Sequence, residues 1–188
     1  MGSDPEAPLV ADLRTVLAGW VAPSAGQAEL RDSFLLHLDA HPDAVLRSGP
    51  PAHFTASCIV LDASGERVLL THHKRANAWF QFGGHLEPAD AGVHAAATRE
   101  AREESGIRAL TPLPRPVAVD RHALVGDFVH CREHLDVRFA ALAPDGASFS
   151  TSEESHEVRW WAVAELPAFA EPVLVAHVRL AQEALGLP

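Results

Sequence analysis

Apolar residues recur along this chain with two different periods. Within residues 9–21, Leu13, Val16, Leu17 and Trp20 follow helical spacing, and Leu30, Phe34, Leu35 and Leu38 follow it again after Pro23. Ser24 stands where a helix cap accepts a backbone N–H, and His41-Pro42-Asp43 ends the second run. Residues 1–7 are polar and proline-containing and read as a frayed start. Arg47-Ser48-Gly49-Pro50-Pro51 reads as a linker. The pattern predicts a helical extension over residues 1–50 ahead of a main domain over 51–188. The extension is either a packing cap or a lid or dimer surface, and the cap is the simpler reading.

Beyond the linker the period changes. His53 to Leu61 and Arg67 to His73 read as strands joined by a turn at Asp62-Ala63-Ser64-Gly65, a hairpin. Val117 to Ala123 and the Trp-rich Glu157 to Val163 read as further strands. His134 to Leu142 alternates, with His134, Asp136 and Arg138 on one face and Leu135, Val137 and Phe139 on the other. That is the period of a strand with one buried face. Pro112, Pro114 and Pro116 form a stiff connection, and Leu166 to Leu185 reads as a terminal helix after a proline-containing turn. Strands with one helix among them and another at the end predict an α/β sandwich.

Composition narrows the function. Hydrophobic residues make up 47% of the 188, enough for a core. The formal net charge of −10 opposes binding to nucleic acid polymers, which requires a basic footprint. Two cysteines, Cys58 and Cys131, cannot form a disulfide framework, and Cys58 lies in the apolar run Ala56-Ser57-Cys58-Ile59-Val60-Leu61. The sequence carries neither a signal-peptide pattern nor an apolar stretch near eighteen residues. Met1-Gly2-Ser3 lacks the Ser or Thr that myristoylation needs, because Glu6 stands there. A cytoplasmic protein without membrane association is expected.

The densest chemistry lies between Gly84 and Ile107. Its end reads Arg99-Glu100-Ala101-Arg102-Glu103-Glu104-Ser105-Gly106-Ile107. At 3.6 residues per turn, Glu100, Glu103 and Glu104 fall within an arc of about 100° on one helix face. Carboxylates that close repel one another, and a hard divalent cation compensates them. Gly106 suits the position just past the helix, while Ala97 and Ala101, small and one turn apart, allow close approach to a sheet.

The segment resembles a Nudix box, Gly-x5-Glu-x7-Arg-Glu-U-x-Glu-Glu-x-Gly-U, where U is an aliphatic or small apolar residue. Arg99 to Ile107 fits the second half with Ala101 as the first U, and Gly84 fits the opening glycine. Asp90 stands where the family has Glu and is eight residues from Arg99 rather than seven. The extra residue falls in the loop before the helix, so Asp90 is expected to be structural rather than a ligand. The resemblance implies an α/β/α sandwich with a mixed sheet. It implies a Mg²⁺-dependent hydrolase (Mn²⁺ being the alternative ion) that cleaves a diphosphate bond in a nucleoside diphosphate linked to another moiety. It also implies roles for individual residues. Glu100, Glu103, Glu104 and the Gly83 carbonyl would hold the metal, Arg99 would orient the carboxylates, and Glu154 in the acidic loop before the Trp-rich strand would act as base or further ligand. Some subgroup marks are absent. The chain has no tyrosine, so the downstream Tyr of diadenosine polyphosphate hydrolases is missing. The residue fifteen past Ile107 is His122 rather than the proline of ADP-ribose enzymes, and the Ser-Gln-Pro-Trp-Pro-Phe-Pro mark of NADH enzymes is missing.

Twelve histidines are many for this length. His72, His73, His85, His122, His130 and His134 either line a substrate groove, form a transition-metal site, or are ordinary surface and core residues. None of their spacings matches a known zinc pattern. Lys74, Arg75 and Arg138 are the nearest phosphate contacts, and His85, His134 and Asp136 the accompanying substrate contacts. The expected partner is a small nucleotide-type molecule, with a homodimer as one use of the extension. Two alternatives remain. One is a Nudix-fold isomerase of an isoprenoid diphosphate, which would use a residue such as Cys58 for proton transfer. The other is a non-catalytic nucleotide-binding module.

Overall fold

The computed structural model describes residues 6–124, 131–167, 170 and 173–187. His130 and the first five residues lie outside them. The elements in chain order are α1 (Ala7–Gly19), α2 (Ala25–Ala40), a 3₁₀ turn (Pro42–Val45), β1 (Ala52–Leu61), β2 (Arg67–His73), β3 (Ala78–Phe80), β4 (Phe82–His85), α3 (Val93–Ser105), β5 (Ala118–Ala123), β6 (Glu133–Leu142), β7 (Ser155–Ala162), a 3₁₀ turn (Val163–Glu165) and α4 (Leu174–Leu185). The C-terminal helix is therefore shorter at its start than the expected Leu166–Leu185. Ser24 caps α2, its side chain accepting from the Gln27 N–H at 3.2 Å. Among the described residues no helix is long and apolar enough to cross a membrane.

β1 is the hub of a mixed sheet. It runs parallel to β6 along its whole length, from Ala52 beside Glu133 to Leu61 beside Leu142. On its other edge it splits its partners, with Thr55–Cys58 antiparallel to β4 and Val60–Leu61 antiparallel to β2. β5 flanks β6, while β3 and β7 both pair with β2. The change of partner falls between Cys58 and Val60, and just before it Gly83 and Gly84 pair with Ser57 and Ala56.

The period-2 alternation of β1 sorts the core into layers. Cys58 and Val60 pack with Phe82, Ala101 and Leu110 on the α3 side. Ile59 and Leu61 pack with Leu174, Val178 and Ala181 of α4 on the opposite side. The result is the α/β/α sandwich. The N-terminal helices share this core. Leu9, Leu13, Leu17, Phe34 and Leu38 are at most 1% exposed and join one cluster with Phe54, Val93, Ala96, Ala97 and Phe139. Asp12 of α1 also accepts the Val93 N–H at 2.7 Å, satisfying an end of α3 that its own Ncap residue, Gly92, cannot.

β6 departs from expectation. Both its faces are buried, with Asp136 3% and Arg138 0% exposed. The polar face meets neither water nor, at Arg138, the groove. It is roofed by β5 and α4. Arg138 Nε donates to Asp136 at 2.9 Å, Nη2 donates to Asp120 at 3.0 Å, and Nη1 lies 2.7 Å from His177 Nδ1. A guanidinium can only donate, so His177 accepts on Nδ1 and is neutral. Burial, then the adjacent Arg138 charge, holds its pKa down to about 4.

Candidate active site

α3 presents its acidic face to the gap beside β4. The helix stops at Gly106, whose φ of +73° places it in the left-handed region that glycine occupies without strain. Ala97 and Ala101 are fully buried against the sheet side, as small residues allow. Gly84 on β4 lies so close to Glu100 that a Cβ there would stand 2.5 Å from its Oε1. A side chain at Gly84 would push the Glu100 carboxylate aside, whereas at Gly83 a Cβ would stand 2.7 Å from the Ser57 Cα and 2.8 Å from the Ala56 carbonyl, where only glycine fits.

Arg99 organises the acidic residues. Its Nε and Nη2 reach both oxygens of Asp90, each at 3.0 Å, in a two-pronged pair. Nη1 donates to Glu100 at 2.8 Å and to Glu103 at 3.4 Å, and Nη2 also reaches the His85 carbonyl at 3.0 Å. Asp90 further accepts the Glu87 N–H at 2.8 Å, closing the loop before α3. The Asp90 carboxylate is thus occupied with Arg99 and the loop backbone.

Glu104 is 7% exposed and accepts the Gly83 N–H at 2.9 Å. Burial, against that hydrogen bond and with the charges of Glu100, Glu154 and Glu103 adding to it, raises its pKa to about 8. Burial likewise raises Glu100, although Arg99 opposes the rise. Glu154 therefore lies near enough to act electrostatically on both glutamates, and its side chain is 76% exposed. Its backbone carbonyl accepts the Lys74 N–H at 2.9 Å, which ties the acidic loop to the end of β2.

These residues face a groove of about 1160 Å³. Its walls include Gly83, Gly84, Glu100, Glu103, Glu104, Glu154, Lys74, Arg75, His85, His134 and Asp136. Of the residues expected from sequence, Arg138 is not brought there. Lys74 reaches the rim and donates through Nζ to the Glu153 carbonyl at 2.7 Å. Asp136 lies on the wall but is held from three sides, accepting from Thr55 at 3.0 Å, Ser57 at 2.6 Å and Arg138 at 2.9 Å.

Sequence reasoning overlooked Thr55, Ser57, His53 and Cys131. The signal for Thr55 and Ser57 was present, since they interrupt the apolar run of β1 at period 2. Cys58, by contrast, is fully buried beneath Phe82 and Ala101, and burial pushes its thiol pKa far up.

The donor set fits a hard divalent cation. Three carboxylates from one helix face line a groove, and one of them, Glu104, is buried without a salt bridge among the described residues.

Several solved structures share this fold. A NUDIX-family hydrolase from Clostridium perfringens aligns at 24% identity over 71% of this chain and 96% of its own, with a TM-score of 0.52. A C. elegans Ap4A hydrolase complex aligns at 17% identity over 71% and 97%, with a TM-score of 0.57. The MutT protein from Methanosarcina mazei Go1 aligns at 21% over 72% and 96%, with a TM-score of 0.55. No curated protein matches the chain in sequence. The NUDIX domain itself matches residues 51–180, a span that begins at the linker and contains both the glutamate helix and the groove, and on that match the chain belongs to the NUDIX domain family.

Proposed function

We propose that this protein is a Mg²⁺-dependent hydrolase of phosphoric anhydride bonds, acting on a nucleoside diphosphate linked to another moiety. The observation that carries the reading is Glu104, a buried carboxylate crowded by Glu100 and Glu103 at a groove wall. Burying a carboxylate beside two others is costly unless a cation compensates it.

Glu100, Glu103 and Glu104 would hold the ion, with the Gly83 carbonyl as a backbone ligand. A bound divalent ion neutralises charge that develops on phosphate oxygens and lowers the pKa of bound water. Arg99 keeps Glu100 and Glu103 aimed, and Asp90 keeps Arg99 in place. Glu154, exposed on its loop, would take a proton from the attacking water. Lys74 and Arg75 at the rim supply positive charge for substrate phosphates.

The isomerase alternative is not favoured. Of the groups it could use, the Cys58 thiol lies in the core with its pKa pushed up. A binding module would have no use for so costly a carboxylate cluster. The test is a panel of dinucleoside polyphosphates, nucleotide sugars, nucleoside triphosphates and pterin triphosphates with Mg²⁺ or Mn²⁺. Metal-dependent release of phosphate or nucleoside monophosphate from at least one member is expected. No release from any member with either ion would overturn the reading.

A further inference from the structure

A second constellation includes His85, Cys131 and His134 of the same groove. His53 on β1, His85 at the end of β4, His134 on β6 and Cys131 just before β6 each offer one ligand atom, and these four atoms lie within 4.8 Å of one another. The sheet register brings the imidazoles together, because His53 pairs with His134 across the parallel strands and His85 pairs with Thr55. The ring centroids of the three imidazoles are 5.0–5.2 Å apart.

Proton bookkeeping shows what is missing. His53 Nδ1 lies 3.0 Å from the Pro50 carbonyl, which can only accept, so Nδ1 carries the proton and Nε2 presents a lone pair. That lone pair points at His85 Nε2, 3.0 Å away. Cys131 Sγ lies 4.0 Å from the same nitrogen. His134 Nε2 is buried and has no hydrogen-bond partner among the described residues. Nearby carboxylates are engaged elsewhere. Asp136 is held by Thr55, Ser57 and Arg138, and Asp120 by His122 and Arg138. Burial first, then neighbouring histidines and Arg47, depresses His85 to about 4 and His134 to about 3.

We propose that His53, His85, His134 and Cys131 form a four-coordinate site for a borderline transition-metal ion of the zinc class, separate from the glutamate cluster. Neutral imidazoles and a thiolate suit such an ion and not Mg²⁺. Bonds of about 2.0–2.3 Å set tetrahedral corners roughly 3.3–3.7 Å apart, so side-chain rotation closes the remaining distance. The Pro50 carbonyl accepting from His53 Nδ1 is the outer contact that fixes a ligand imidazole in one tautomer. Binding would convert the Cys131 thiol to thiolate, with its proton released to solvent. Four protein ligands leave no open position, so the ion is structural. It would pin the starts of β1 and β6 to the end of β4 and build the groove wall facing the glutamates.

The spectroscopic test uses the full chain, stripped with chelator and titrated with Co²⁺ in excess Mg²⁺. One equivalent should give visible bands of tetrahedral Co²⁺ and a near-ultraviolet thiolate charge-transfer band, and Zn²⁺ should abolish both. Cys131→Ser should lose the charge-transfer band and bind Co²⁺ at least about tenfold more weakly. Cys58→Ala and Glu104→Gln should both keep the band. Should Cys131→Ser fail to fold, the wild-type titration together with Cys58→Ala decides the matter alone. No charge-transfer band in the folded wild type, or a band that survives in Cys131→Ser or disappears in Cys58→Ala, would overturn the assignment.

Discussion

Asp90 is held by Arg99 and the loop backbone, an arrangement that supports a structural role. Its two oxygens are taken by Arg99 and the Glu87 N–H, and Arg99 in turn aims Glu100 and Glu103. Asp90→Asn keeps an acceptor for Arg99 and loses the charge, so turnover should fall by about tenfold or less, clearly less than for Glu104→Gln. Equal losses in the two variants would make Asp90 a direct ligand. At this scale the sequence was legible where partners are close along the chain. Glu100, Glu103 and Glu104 share a face because one helix carries them, and the loop insertion already set Asp90 apart. It was not legible where strands bring distant residues together. Cys131 is 46 residues from His85, and Thr55 is 81 from Asp136. Only sheet register makes them neighbours.

The elements repeat this contrast. The helices of the extension, the cap at Ser24 and the stop at Gly106 were readable from local spacing and turn chemistry. The packing of α1 onto α3 was not, because Asp12 reaches across 81 residues to the Val93 N–H. Asp12→Ala leaves that N–H unsatisfied at the start of the glutamate helix. Denaturant unfolding should show a loss of about 1 kcal/mol, and an unchanged midpoint would show that the contact contributes nothing. β6 carries the larger lesson. Its alternation was read correctly as two faces, but a polar face need not be a wet one. Here Asp136, Arg138, Asp120 and His177 satisfy one another beneath α4. Arg138→Ala would strand two buried carboxylates, so the melting temperature should drop markedly, in line with about 3–5 kcal/mol, while KM stays near wild type. A raised KM with unchanged melting would return Arg138 to the substrate.

The whole molecule is a sandwich opened along one seam. β1 exchanges β4 for β2 part-way along its edge, and its Thr55 and Ser57 line the groove with Gly83, Gly84 and His85 of β4. Carboxylates from α3 line it, with imidazoles from β4 and β6, and Glu154 on its loop acts electrostatically on Glu100 and Glu104. The extension joins the same core and packs against Val93, Ala96 and Ala97 of α3. The central claim is that the glutamate face holds the ion on which turnover depends. Turnover of the best panel substrate, measured for wild type, Glu103→Gln and Glu104→Gln across a Mg²⁺ titration, tests it most directly. Each variant should require more Mg²⁺ and lose at least ~10²-fold in turnover at limiting Mg²⁺, because each removes a charged ligand from a hard cation. Near-normal turnover of both variants at limiting Mg²⁺ would contradict the account.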